Sequence, residues 1–164
     1  MNTTLELPLK PHLYKYLVKK LKLTSDVVDV SLVDIISFGS FVVNSLDHKR
    51  KFYTCCNKRM IDSSMSKCTK TIKINLGPLY QNFYGEFFTD EKVFYINRFL
   101  HRCFLNDLYT HIIIQKRFYP HIVVTIAVDD FFLLCRINED EFSKNSIIRD
   151  FQRKEDEYSY LYSF

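Results

Sequence analysis

Hydrophobic and polar positions alternate with period two through Leu5-Glu6-Leu7-Pro8-Leu9. That pattern predicts a short strand, and Pro8, which has no N–H to give a ladder, predicts a sheet edge. Pro11 then suits the first turn of a helix. Leu13, Leu17 and Leu21 recur at helical spacing through His12 to Leu23, with Lys15, Lys19, Lys20 and Lys22 covering the polar side. Val28, Val30 and Leu32 alternate like a strand, Ile36 to Leu46 reads as helix, and Thr69 to Leu76 alternates again. From Thr89 the pattern turns helical. Thr89 or Asp90 can cap the start, and Val93, Ile96, Leu100, Cys103, Phe104 and Leu108 form an apolar stripe through about Tyr109. The β-branched runs Ile112 to Ile114 and Ile122 to Val124 flank Pro120 and predict short strands, or a helix end and a linker. Ile126, Asp130, Phe131, Leu134 and Ile137 predict a helix over about 125–137, followed by a turn at 138–142 and a last helix, capped by Ser143, to about Lys154. An aromatic tail, 158–164, ends the chain without periodicity.

Leu5-x-Leu7-x-Leu9-Lys10-Pro11 is echoed by Ile72-x-Ile74-x-Leu76-Gly77-Pro78, and each is followed by Leu-Tyr. The two strands are therefore candidates to pair, chance similarity being the alternative. Together these elements predict an α+β fold. It has a small antiparallel sheet and a predominantly helical C-terminal half ending in a helix–turn–helix-like hairpin over 125–155.

The length of 164 residues suits one domain, 1–164, and a hydrophobic fraction of 47% excludes a wholly disordered chain. Only three glycines are present, at positions 39, 77 and 85, too scattered for a P-loop, a dinucleotide fingerprint or a nucleophile elbow. Most nucleotide-dependent enzymes become poor candidates. No uncharged apolar run is long enough to cross a bilayer, and the N-terminus lacks the basic and apolar regions of a signal peptide. A cytoplasmic protein that avoids the membrane is expected, in the host cytoplasm if the chain is phage-encoded.

Charge narrows the picture further. Lys49, Arg50, Lys51, Lys58, Arg59, Lys67, Lys70 and Lys73 face only Asp47 and Asp62, so residues 47–73 carry +6 in a chain of net +4. Ser63-Ser64-Met65-Ser66 suggests a flexible tip, and a basic arm or hairpin over 47–70 fits. With Phe52 and Tyr53 interleaved, Lys49, Arg50, Lys51, Lys58 and Arg59 suit a phosphate backbone and its bases, whereas a solvated lysine loop is the plainer alternative.

The last helix carries the second candidate. Ile147, Ile148 and Phe151 fall on one side, and Asn145, Arg149, Gln152 and Arg153 on the other. Arg forks and the amides of Asn and Gln match guanine and adenine edges in a major groove, which makes these four residues candidate nucleic-acid contacts. An ordinary αα-hairpin with a solvated polar face fits the same spacing, the turn has no glycine, and Glu155-Asp156-Glu157 would repel phosphate.

No catalytic constellation emerges. His12, His48, His101, His111 and His121 lack metal-ligand spacing, and His101 does not share a helix face with Cys103. Adjacent Cys55 and Cys56, with Cys68 and His48 nearby, do not match the paired knuckles that pre-organise zinc, and the odd total of five cysteines argues against a disulfide framework. Asp129-Asp130 suits capping or solvation better than a metal. The expectation is a non-enzymatic protein with no cofactor and no metal.

The order Thr71-Ile72-Lys73-Ile74, Phe87-Phe88-Thr89-Asp90-Glu91-Lys92, Phe99-Leu100, Ile126-Ala127-Val128-Asp129-Asp130-Phe131, Ile137-Asn138-Glu139-Asp140-Glu141-Phe142 and Ile147-Ile148-Arg149-Asp150-Phe151-Gln152-Arg153 resembles small basic proteins carried by phages and mobile elements of gut bacteria. Those proteins end in a helix, an acidic turn and a helix rich in Tyr and Arg. Here Phe151-Gln152-Arg153-Lys154 stands where their Tyr/Arg cluster falls. The resemblance implies DNA binding in a regulatory or accessory role. The competing expectation is a structural or interaction protein, such as a virion component or an inhibitor of a host protein. It would meet a partner or a second copy through Tyr158, Tyr160, Tyr162 and Phe164.

Overall fold

The computed structural model describes residues 3–29, 40–43, 45–46, 58–76 and 87–158. Its architecture is α+β. The elements are β1 (Thr3–Leu9), α1 (Pro11–Lys20), β2 (Val27–Asp29), α2 (Ser40–Val43), α3 (Lys58–Met65), β3 (Lys70–Leu76), α4 (Asp90–Phe118), α5 (Val124–Cys135) and α6 (Lys144–Tyr158). Where the sequence led us to expect one domain, the chain divides into two compact units, Met1–Leu100 and His101–Phe164, and the division falls inside α4.

In the first unit the sheet order is β1-β3-β2. The two strands that echo each other in sequence pair antiparallel, with Leu5 opposite Ile74 and Leu7 opposite Ile72. The sheet is mixed instead of purely antiparallel, because β2 runs parallel to β3, with Val28 opposite Ile74. A parallel neighbour needs a crossover, and the chain carrying α2 and α3 supplies it. Pro8 does sit on an edge strand. Leu5, Leu7, Leu9, Ile72, Ile74 and Val28 point to the buried side while Glu6, Thr71 and Lys73 face solvent, so period two determines which face is covered. Against these pack His12, Leu13, Tyr16 and Leu17 of α1, and Val93, Ile96 and Leu100 of α4 are buried in the same unit.

One polar residue interrupts the buried stripe of α4. Asn97 is 2% exposed; its Nδ2 donates to the Pro8 carbonyl (2.9 Å) and to the Val93 carbonyl (3.0 Å), and its Oδ1 accepts the Lys10 N–H (3.1 Å). A strand edge leaves backbone groups without a ladder, and this amide satisfies one donor and one acceptor where β1 turns into α1.

The basic stretch differs from expectation. Residues 58–65, read as part of a loose arm or hairpin, form α3, and the serines expected at a flexible tip close it: Ser66 Oγ donates to the Ser63 carbonyl (3.0 Å) and Cys68 Sγ to the Ser64 carbonyl (3.4 Å). Ile61 is the buried anchor of this helix, and its amphipathic spacing outweighed the low helix propensity of the serines. The remainder, 47–57, lies outside the described residues.

In the second unit α4 continues to Phe118, through the Ile112 to Ile114 run that its β-branched side chains predicted to be strand or helix end. Ile112 is fully buried one turn beyond Leu108, so packing overrides local preference. The core gathers Phe104, Leu108 and Ile112 of α4, Phe131, Phe132 and Cys135 of α5, and Ile147 and Phe151 of α6. Its rings meet edge-on, with Phe104 at 5.9 Å from Phe131 and 5.5 Å from Phe142. Between α5 and α6 the turn lacks glycine, and Arg136 takes the left-handed conformation instead (φ 56°). The Ile137 N–H reaches back to the Phe132 carbonyl (2.9 Å) and the buried Ile137 side chain closes the end, a Schellman arrangement.

Candidate functional site

The second unit holds a concave site between the C-terminal part of α4 and α6. His101, Leu105 and Tyr109 recur at every fourth position of α4 and so share one face; Ser146, Ile147, Arg149, Asp150 and Arg153 line the facing side, and Phe142 comes from the turn. The cavity measures about 360 Å³. Leu105, Ile147 and Phe142 give it apolar walls, and the His101 ring meets the Phe142 ring edge-on at 5.5 Å.

Its electrostatics are set by which cations are already engaged. The Tyr109 hydroxyl donates to Asp150 Oδ2, and Lys154 Nζ reaches the same oxygen at 3.1 Å. The Tyr109 hydrogen bond, followed by that from Lys154, holds the Asp150 carboxyl below its ordinary value, with Arg153 adding attraction. Lys144 bridges Asp129 (2.6 Å) and Glu139 (2.7 Å); the Asp129 contact, then that with Glu139, raises its pKa. Lys116 is paired with Glu155. The lysines on and beside α6 are thus largely neutralised.

The arginines are not. Arg149 and Arg153 are exposed, and neither forms an ion pair among the described residues, although Arg149 Nε donates to the Asn145 carbonyl one turn back (3.3 Å). Asn145 and Gln152 are exposed on the same side, opposite buried Ile147 and Phe151. All four candidate residues of the last helix therefore share one solvent-facing surface. Arg59 is exposed on α3 in the first unit, and Lys58 opens that helix. Lys49, Arg50 and Lys51, like Cys55, Cys56 and His48, lie outside the described residues. Tyr158 closes α6, and Tyr160, Tyr162 and Phe164 lie beyond the described residues.

Asp129 and Asp130, adjacent in sequence, diverge: Asp129 takes Lys144, while Asp130 Oδ2 lies 3.0 Å from His111 Nε2 and accepts from Gln115 Nε2 at 3.5 Å. Among the described residues no group of three His, Cys, Asp or Glu side chains comes together, and no helix is long and apolar enough to cross a membrane. Sequence reasoning did not single out Leu105, Tyr109, Phe142 and Ser146. The recurrence of His101, Leu105 and Tyr109 on one helix face was the available signal, but spacing within one helix does not show which residues of another element face it.

The same unit exposes much apolar surface. On α5, Ile126, Leu133 and Leu134 lie on the face opposite Phe131, Phe132 and Cys135, and Val123 precedes them on that face; Leu133 is 76% exposed. Phe118 and Tyr119, at the end of α4, are also open to solvent, Phe118 at 73%.

No protein-family model, curated protein or solved structure matches this chain.

Proposed function

We propose that the protein binds nucleic acid, DNA foremost, through the polar face of α6 and without catalysing a reaction. One observation carries this reading: Arg149 and Arg153 stand exposed one helical turn apart and form no ion pair among the described residues, while Lys116, Lys144 and Lys154 beside them are paired. The cations left available are the ones whose planar forks suit phosphate and guanine edges, and the amides of Asn145 and Gln152 flank them. The order of helix, turn and helix over α5 and α6 is that of groove-reading units. The resemblance of residues 71–154 to small proteins of phages and mobile elements agrees with a regulatory or accessory role. Electrophoretic shifts with mixed-sequence DNA at low and moderate salt test it. A retarded band that fades with salt is expected. Replacing Arg149 and Arg153 together by Ala should lower the slope of log affinity against log salt by about 2, with little change in Tm because both are exposed. Absence of a shift at either salt overturns the reading.

The second reading, an interaction protein, is favoured by α5, which is apolar on both faces. Apolar surface of that kind marks contact with another macromolecule.

A further inference from the structure

We propose that the cavity between α4 and α6 is a nucleotide subsite, holding one nucleoside monophosphate unit with its phosphate on Arg149 and Arg153 and its base against Phe142. The choice of ligand rests on the nucleic-acid reading above, and the cavity shares Arg149 and Arg153 with the polar face of α6. At about 360 Å³ it lies within the size range of small-molecule sites, and its lining sets the apolar Leu105, Phe142 and Ile147 beside the polar His101, Tyr109, Ser146, Arg149, Asp150 and Arg153.

The polar groups select an anion. Arg149 and Arg153 lie one helical turn apart on the cavity wall, so two guanidinium forks can converge on one phosphate, for which their geometry is suited. Asp150, between them, would oppose an anion if unpaired. Lys154 and the Tyr109 hydroxyl both engage its Oδ2, so the local balance stays positive. The remaining walls select a flat, apolar body. Leu105 and Ile147 offer aliphatic surface, and Phe142, whose ring also meets those of His101 and Phe104 at 5.5 Å each, adds an aromatic wall against which a base can pack. A phosphate joined to an aromatic base satisfies both halves of the lining, and inorganic phosphate or a nucleoside satisfies one.

Such a unit has two sources, a free mononucleotide or the phosphorylated end of a strand, and one titration separates them. The full chain is titrated calorimetrically with AMP, adenosine, inorganic phosphate, and short single strands with and without a 5′-phosphate. AMP is expected to bind at least about tenfold more tightly than adenosine or phosphate, since each lacks half of the contacts. A 5′-phosphorylated strand binding more tightly than both AMP and its 5′-hydroxyl counterpart assigns the site to strand ends; AMP binding as tightly as the strand assigns it to the free nucleotide. Ser146 is exposed on the cavity wall, so Ser146→Trp fills the space without disturbing the core, and it should weaken AMP at least about tenfold with Tm preserved. AMP that binds no better than inorganic phosphate, or binds equally well to Ser146→Trp, overturns the proposal. Loss of AMP binding with duplex retardation intact rejects the subsite alone, whereas AMP binding without duplex retardation rejects only the duplex-binding reading.

Discussion

Arg136 shows what a shortage of glycine does to a chain. Its left-handed backbone ends α5 where glycine would be free of strain, and Lys22 does the same after α1 (φ 52°), where the Leu23 N–H reaches the Val18 carbonyl (3.0 Å). Arg136→Gly should therefore stabilise the protein by about 1 kcal/mol, read as a rise in Tm of about 3 °C in thermal melts. Neither left-handed residue was legible in the sequence, because no residue type other than glycine announces that conformation reliably. Tyr109 and Asp150 give a second expectation. The Asp150 carboxyl is held below its ordinary value, so its pairing stabilises the fold above the ordinary carboxylate range, and this is lost as pH falls through the depressed value. Tyr109→Phe keeps the ring beside Phe151 but removes the donor, and should cost about 1 kcal/mol at neutral pH, discounted for the solvent exposure of Asp150. The gap in Tm between the two proteins should close as pH falls below the ordinary carboxylate value of 3.8.

Elements were legible wherever one face is buried and the period is unmixed. The Leu5, Leu7, Leu9 and Ile72, Ile74 alternations gave β1 and β3, and even their pairing, because both strands present one face to the core. The division of the C-terminal half into helix, turn and helix was also readable, to within a few residues. What escaped were segments where tertiary packing opposes local preference: α3, with its serines, and the last turns of α4, with its isoleucines. The parallel placement of β2 escaped as well, since a strand's alternation carries no information about direction. Asn97 belongs at this scale because it ties one element to another. Asn97→Ala should cost about 2–4 kcal/mol, leaving the Pro8 carbonyl and Lys10 N–H unpaired, and the loss would show in urea unfolding as a lower midpoint with an unchanged slope. Asn97→Asp would keep an acceptor for Lys10 but set a buried carboxylate oxygen against the Pro8 and Val93 carbonyls, so it should unfold at least as readily as Asn97→Ala.

Across the whole molecule, the positive charge that composition assigns to 47–73 and the arginines of α6 belong to different compact units. That α6 would carry exposed Arg149 and Arg153 could be read from helical spacing; that its lysines would be engaged could not, because Asp129 and Glu139 are brought to Lys144 only by the fold. The open apolar face of α5 yields its own expectation. Leu133→Asp, at a position 76% exposed, should leave Tm nearly unchanged and abolish any concentration-dependent association seen by sedimentation; association that persists would place the contact elsewhere. One feature bears on how the gene can be cut. Boundaries between compact units ordinarily fall in loose connecting chain, but here the seam at Leu100 and His101 runs through twenty-nine residues of continuous helix. Splitting the coding sequence there would strip four carbonyls on one fragment and four amides on the other of their partners, so half-proteins should be designed with α4 duplicated in both.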